Sequence, residues 1–416
     1  MSFRTLLLSV CLLALVNTGA AAESLRLGFN YPQSGRYKEQ GLQQRLGAFL
    51  AVEEINRSGG VLGRPLELVI RNSRGEPDQG AENTAELIDN EGAQMVFGGV
   101  SSAVAIASGK AARDRDRLYF GTLTYSNATT GSEGHRHMFR EPYNAWMTAR
   151  VLSQYLNANH ANEEYFYITA DYTWGWSVEE SLRGFSNTSD VERHQGVRTP
   201  FPRALTSDFQ AALEQAKASD AKVLVLVLFG DDMVRAVNLA YELGLTQQMQ
   251  VVVPNLTLGM AREVGPTILE GVVGAVPWVW NLPYEHDYAR GMAFVDAFSE
   301  HYDMRPSSAA ASAYSIVYQY RDAVERAGST RTADVMRALE GHRYSLLKDE
   351  QYWRAFDHQN VQSVHVVRIN DRETVMADPY SSGYFTIIAS LPGDEAAQTR
   401  EEWQARRREA GRSDTL

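Results

Sequence analysis

The chain has 416 residues, 44% hydrophobic and 22% charged, with a formal net charge of -11 at pH 7. That length and composition suit two or three packed domains, and the acidic balance argues against nucleic acid as a partner. Cys11 is the single cysteine, so the chain beyond it has no disulfide, thiolate metal site or cysteine nucleophile.

The first segment, "MSFRTLLLSVCLLALVNTGAAAES", has one arginine, an apolar run from Leu6 to Val16 and small residues up to Ala22. It reads as a secretory signal peptide over 1–22, cleaved after Ala22. Its apolar run is too short to span a bilayer. Cys11 follows Leu8-Ser9-Val10, a poor match to a lipidation site, where a small residue precedes the cysteine. Export across the membrane is the expectation.

Short β-rich runs then alternate with helical patterns. Strands are predicted at Leu25–Asn30, Leu66–Asn72, Gln94–Phe97, Leu118–Thr122, Tyr165–Ala170, Lys222–Phe229 and Val251–Pro254. "KVLVLVLF" is apolar on both faces, as a central parallel strand covered by helices would be. Leu42, Leu46, Phe49 and Leu50 predict one buried face of a first helix. "TSDFQAAL" predicts a capping box from Ser207 to Gln210, and "AYELGL" a helix ending at Gly244. The alternation implies parallel sheets with helices on both faces. Beyond Asp394 the chain is charged or small, with Trp403 as its one anchor; it reads as an exposed helix or frayed tail.

No Gly-x-Ser-x-Gly elbow, phosphate loop or His-Glu-x-x-His helix is present. His135 and His137 lack nearby acidic or cysteine ligands, so no metal is expected, and no cofactor. In sheets of this kind ligands bind beyond the carboxyl ends of the strands. Five strand ends carry polar or aromatic groups: Ser101 and Ser102; Thr122, Thr124 and Tyr125; Tyr172, Trp174 and Trp176; Gly230 and Asp231; and Asn255. Singly, each fits a structural role: a serine as helix cap, a tryptophan as packing, an aspartate at a helix N-terminus. Together they point to a shared cleft.

Several stretches resemble one family. "YPQSGRYKEQG", "INRSGGVLGRPLELVIRNSRGEPDQGAENTAELI", "GGVSSAVAIA", "TYSNATTGSEGHRHMFREPYN", "DYTWGWS", "SDFQAAL" and "YELGL" are similar, in that order, to the periplasmic leucine/isoleucine/valine-binding proteins of ABC importers. The resemblance runs from about Leu25 to Ser390. It implies two Rossmann-like α/β lobes, each a mainly parallel sheet with helices on both faces, joined by three crossover strands and closing on a ligand. Crossovers are expected near Phe139–Pro142, Pro277–Pro283 and Tyr344–Gln351. The implied division is 23–140 and 280–345 for lobe 1, 141–279 and 346–393 for lobe 2, and 394–416 as a charged tail.

The resemblance also implies site roles. Ser101 or Ser102 would hold a ligand carboxylate together with free N–H groups of the helix start. The loop Thr122 to Ser126 would add a contact, Tyr172 or Trp174 would close from the second lobe, and Tyr37 would stand at the cleft mouth. Branched-chain amino-acid binders usually place a glutamate after the strand matching "VVVP"; this chain has Asn255, with Asp231 or Asp232 as possible replacements. A neutral amide, an aromatic acid or another small carboxylate therefore stays open beside an α-amino acid. The expected partner is the membrane permease of an ABC importer. A sensor of the same fold signalling to a membrane receptor or kinase is the alternative. A secreted serine hydrolase needs a histidine that the strand-end loops lack.

Overall fold

The computed structural model describes residues 23–416, so the segment expected to be a leader, with Cys11, lies outside the described residues. Two sheets form the framework. The first, all parallel, has the order β2-β1-β3-β4-β5. Its strands are β1 (Leu25–Tyr31), β2 (Leu66–Asn72), β3 (Met95–Gly98), β4 (Leu118–Gly121) and β5 (Met138–Arg140). The second comprises β6 (Tyr165–Ala170), β7 (Gly196–Thr199), β8 (Val223–Val227), β9 (Gln250–Val253) and β10 (Val273–Val276), all parallel. A small antiparallel sheet follows: β11 (Arg343–Tyr344), β12 (Gln351–Trp353) and β13 (Asn360–Val361). The hairpin β14 (Val364–Ile369) and β15 (Phe385–Leu391) then adds antiparallel to β10.

The helices of the first half are α1 (Lys38–Arg57), α2 (Pro77–Asp89), α3 (Ser102–Arg113), α4 (Ala145–Asn159), α5 (Thr173–Phe185), α6 (Thr206–Ala218), α7 (Asp231–Glu242) and α8 (Leu258–Val264). Those of the second half are α9 (Pro266–Leu269), α10 (Leu282–Glu285), α11 (Ala289–Tyr302), α12 (Ser308–Ala327), α13 (Thr332–Leu339), α14 (Arg372–Ala377), α15 (Gly393–Ala396) and α16 (Arg400–Glu409). Among the described residues no helix is long and apolar enough to cross a membrane.

Alternation along the first sheet's strands separates two cores. Leu27, Phe29, Phe97 and Phe120 point to the α1/α12 side. Val96 and Tyr119 point to the α2/α3 side, with Leu87 and Ala105. β8, "VLVLV", is buried along its whole length, as its two-sided apolar pattern required.

Two local predictions fail for identifiable reasons. In α1, Leu42 and Phe49 are about two-fifths exposed, while Gln40, Gln43, Gln44, Gly47 and Ala48 are buried. The helix meets α12 so closely that a Cβ on Gly47 would fall 2.1 Å from the Ala310 carbonyl oxygen. Close crossing selects small residues, and Gln44 donates to the Gly99 carbonyl at the end of β3 at 3.1 Å. In α6 the cap is not Ser207: the helix starts at Thr206, and the Asp208 carboxylate accepts the Leu205 N–H at 2.7 Å.

The chain passes between the lobes beyond β5, beyond β10, and between β13 and β14; this last passage lies after the expected Tyr344–Gln351, whose two ends pair with each other in the small sheet. Lys348 sits where these passages meet. Its ammonium donates to the Pro277 carbonyl (2.7 Å), the Ser363 carbonyl (2.7 Å) and Gln362 Oε1 (3.3 Å). The Gln362 amide in turn donates to the Glu141 carbonyl at 2.5 Å. Burial pushes the Glu141 carboxyl up to about 7, against the pull of Ser312 and Lys348, and burial pulls Lys348 down to about 8.

Candidate functional site

The glycine pair that ends β3 makes the first wall. Gly98 has φ +128°, and a Cβ there would lie 2.4 Å from the Asn30 carbonyl oxygen. Only glycine allows the strand to turn this close to β1 before α3 begins. The two serines that follow divide their work. Ser102 Oγ accepts the Ser126 N–H at 3.0 Å and so ties the turn to the loop beyond β4. Ser101 occupies the N-cap position of α3, with φ -75° and ψ 133°, but its hydroxyl makes no cap bond. It is buried with no partner.

The loop beyond β4 makes the second wall. Thr122 is committed to the framework: its hydroxyl lies 2.6 Å from the Gly99 carbonyl and 3.0 Å from Gln44 Oε1. Thr124 Oγ1, like Ser101 Oγ, is buried and unpartnered. Tyr125 stacks on Tyr143, centroids 5.1 Å apart. Behind this loop lies Arg140, fully buried. Its guanidinium donates to the Thr124 carbonyl (3.3 Å), the Ser126 carbonyl, Thr130 Oγ1 (2.6 Å) and Gln359 Oε1 (2.7 Å). Burial pulls its pKa down to about 9, so it remains a cation at neutral pH. Every one of those acceptors is uncharged. The loop is thus backed by a buried guanidinium; the Asp357 carboxylate acts on it through space but is itself paired with Arg354, so the group of three keeps a net positive charge.

The second lobe contributes rings. Tyr172 precedes α5 and stacks on Phe201 with centroids 3.8 Å apart. Trp174 is 2% exposed, and its indole N–H has no acceptor. Phe229, the residue that sequence reasoning missed, lies at the centre. Its ring is 6.1 Å from Tyr37, 6.0 Å from Tyr125 and 6.1 Å from Trp174. The available signal was its place as the last apolar residue of "KVLVLVLF", at a strand's carboxyl end.

The two neighbouring acids differ in what they meet. Asp231 makes no side-chain hydrogen bond or ion pair. Burial raises its pKa against the pull of Lys38, Arg235 and Arg36. Asp232 is the buried member of the pair, bridging Arg36 of the first lobe (2.7 Å) and Arg235 (2.6 Å). Asn255 donates to Tyr143 Oη at 2.9 Å, and its Oδ1 has no partner. Trp278 and Trp280 bond to the Leu347 and Ser382 carbonyls (3.3 and 2.9 Å), and Trp176 to Asp171 (2.8 Å). The structure therefore gathers Tyr37, Tyr125, Trp174 and Phe229 into one ring cluster, with Tyr172 at 5.9 Å from Trp174. It assigns Ser102 and Thr122 to internal ties and leaves Ser101 and Thr124 with free hydroxyls. Among the described residues, no group of three or more His, Cys, Asp or Glu side chains is placed to hold a metal ion.

The two lobes touch across the strand ends. Besides Arg36–Asp232, Ser126 Oγ lies 3.0 Å from both Thr173 Oγ1 and Ser177 Oγ, and Asn127 donates to Ser181 Oγ at 3.0 Å. A Cβ on Gly230 would lie 2.8 Å from both the Arg36 carbonyl oxygen and Tyr37 Cδ1. The Glu39 carboxyl lies against Gly259 at the start of α8. Burial and Glu263 push its pKa up to about 7, against the pull of Arg262.

The model of a family described as periplasmic binding protein matches residues 24–374. Among curated relatives, Leu/Ile/Val-binding protein homolog 4 of Brucella melitensis is 22% identical, covering 92% of this chain and 93% of its own. Among solved structures, a periplasmic binding protein from Burkholderia mallei superposes with TM-score 0.81 at 24% identity, covering 92% of this chain and 98% of that one. An ABC transporter solute binding protein from R. palustris, in complex with benzoate, gives TM-score 0.76 at 18% identity, covering 89% and 97%.

Proposed function

The chain belongs to the periplasmic binding protein family, and from that premise we propose that it captures a small carboxylate with an apolar, preferably aromatic, body between its lobes and delivers it to the permease of an ABC importer. It is a solute-binding protein and not an enzyme. Export through a leader cleaved after Ala22 is part of the same reading. So is the division into two lobes, with the expected boundary at 345/346 moved to between β13 and β14: lobe 1 takes 23–140 and 280–361, including the small sheet β11–β13, and lobe 2 takes 141–279 and 364–393. Trp353 of that sheet packs edge-on against Phe120 and Phe139.

One observation carries the ligand class. Two buried hydroxyls, Ser101 Oγ and Thr124 Oγ1, are unpartnered beside the start of α3, and the loop between them and the hinge is backed by the Arg140 cation. Unmade hydrogen bonds of buried groups cost about 1–3 kcal/mol each, and a bound carboxylate supplies the missing partner. Helix N–H groups and the buried cation add to its stabilisation. The opposite side offers rings from both lobes. Asn255, where an amino-acid binder would carry an acid for the ammonium, is neutral and tied to Tyr143. An ammonium entering there would lose its hydration without gaining a countercharge.

A bound ligand touching both lobes stabilises the closed state by its differential affinity for the two forms. A thermal-shift panel of benzoate, phenylacetate, benzamide, L-phenylalanine and L-leucine tests the reading. A ligand at 100 times its dissociation constant adds about 2.7 kcal/mol of stability. An aromatic acid is expected to raise Tm most, and benzamide little. A larger shift with L-leucine than with either aromatic acid would make the ligand an α-amino acid.

A further inference from the structure

The C-terminal helix lies beyond residue 374, where the family match ends. It is not a frayed tail. Thr399 and Glu402 form a reciprocal capping box, with Thr399 Oγ1 accepting at 3.2 Å and Glu402 Oε2 at 2.8 Å. Trp403 is 2% exposed and donates its indole N–H to the Thr130 carbonyl at 2.9 Å. Arg407, also buried, donates to the Gly131 and Gly134 carbonyls, and Arg412 pairs with Glu133 at 2.8 Å.

All of these acceptors belong to one segment, Thr130–Gly134. That segment is joined to Thr124–Ser126 by the single turn Asn127–Thr129; Arg140 holds the Thr124 and Ser126 carbonyls, and Ser126 Oγ reaches Thr173 and Ser177 of α5. On its other side α16 touches the second lobe: Arg406 pairs with Glu180 of α5 and lies 5.7 Å over the Trp146 ring of α4. One ten-residue helix therefore grips the loop of one lobe and two helices of the other.

We propose that α16 is a clasp: Trp403 and Arg407 are positioning residues for the Thr124–Ser126 loop, and Arg406 fastens that loop's lobe to α5 in the closed state. The proposal rests on the lobe-closure reading above. Its physical basis is that the closed state makes contacts through α16 that an open state forfeits, so removing them shifts the population toward open. The Arg406–Glu180 pair is partly solvated, which sets its effect at about two- to five-fold in the closed-to-open ratio. Loss of the whole helix, with its buried indole and guanidinium, is expected to shift the ratio at least about tenfold.

The test uses spin-label pairs at Gln33→Cys and Arg203→Cys, exposed positions flanking the place where Arg36 meets Phe201. The sole native cysteine lies in the leader, so these are the only thiols of the processed chain. In the otherwise unaltered protein, a separation that shortens on adding millimolar benzoate or L-leucine, or a resolved short and long population, establishes closure. A single invariant distance overturns closure, and the clasp with it. Where closure holds, deletion of residues 399–416 and the variants R406A, E180A and their combination are compared, each checked for native near-ultraviolet circular dichroism. The expected result is a shift to the long distance in the deletion, a larger shift for R406A, which also loses the Trp146 contact, than for E180A, and no further shift in the double beyond R406A. Unchanged distances in a folded deletion variant overturn the clasp while leaving closure intact. If the deletion variant does not fold, the cycle decides: fully additive or absent shifts for R406A and E180A overturn it. R406K is expected to restore most of the short population, which a merely structural loss at α16 would not do.

Discussion

Replacing Gly230 with alanine separates the cost of folding from the cost of closing. Gly230 has φ +62° and ψ -140°, a region open mainly to glycine. An alanine there carries about 1–3 kcal/mol of strain in both open and closed states, which lowers Tm by a few degrees. The second effect belongs to the closed state alone. The new Cβ would lie 2.8 Å from the Arg36 carbonyl oxygen and 2.8 Å from Tyr37 Cδ1, both from the opposite lobe. Backbone cannot swing aside as a side-chain tip does, so the lobes must retreat. Overpacking of this kind costs about 1–3 kcal/mol, a five- to 150-fold rise in Kd. Titration calorimetry with the tightest ligand of the panel, alongside a thermal melt, reads the two effects separately. Gly271→Ala is the internal control. It too has a positive φ, +80°, but its Cβ would meet nothing within 4 Å, so Tm should fall while Kd changes less than about twofold. A Gly230→Ala protein with lowered Tm and Kd unchanged within about twofold would refute the inference that ligand closes the lobes at this contact.

The serines should part company. Ser101→Ala and Thr124→Val each remove an unpartnered hydroxyl, so binding weakens about 10- to 30-fold by calorimetry while the ligand-free Tm holds within a few degrees. Ser102→Ala instead frees the Ser126 N–H and should lower the ligand-free Tm. Glu39 and Glu141 hold their protons up to about pH 7 in the folded protein, above the ordinary 4.5. An acid with a raised folded pKa contributes stability that is full below about pH 4.5 and lost as pH rises through about 7, so denaturant-derived stability should fall across that window. Glu39→Gln should flatten the fall by roughly 1–3 kcal/mol, because Glu39 retains some solvent contact. Lys348→Met leaves three acceptors at the hinge without their donor and should cost about 2–4 kcal/mol in urea denaturation.

The framework was legible because parallel strands announce themselves. β1, β2, β3, β4, β6, β8 and β9 were each found within two residues of their ends, from apolar runs bounded by turn residues. The strands β5, β7, β10, β14 and β15 were not named. β5 has three residues, and β7 is partly exposed, so neither carries a two-sided apolar signature. The face of α1 was misread because helix crossing at Gly47 reverses the usual rule and buries small and amide residues. Strand-end logic named Ser101, Thr124, Tyr125 and Trp174 as candidates, and they are the residues on which the proposed site rests. It could not separate Ser101 from Ser102, or Asp231 from Asp232, since which neighbour is free depends on contacts from Ser126 and Arg36, remote in sequence. Phe229 was hidden inside its own strand. The docking of α16 was hidden because its buried groups are an indole and a guanidinium reaching carbonyls, and carbonyls leave no trace in a sequence.

The central claim is that a small carboxylate at Ser101 and Thr124 draws the two lobes together. Calorimetry and the Gln33–Arg203 label distance, followed in one titration with the best aromatic acid of the panel, test it most directly. The account predicts that the distance shortens in step with saturation, and that Ser101→Ala moves both curves to about 10- to 30-fold higher ligand concentration. Tight binding with no change in distance, or binding unaffected by both Ser101→Ala and Thr124→Val, would contradict it.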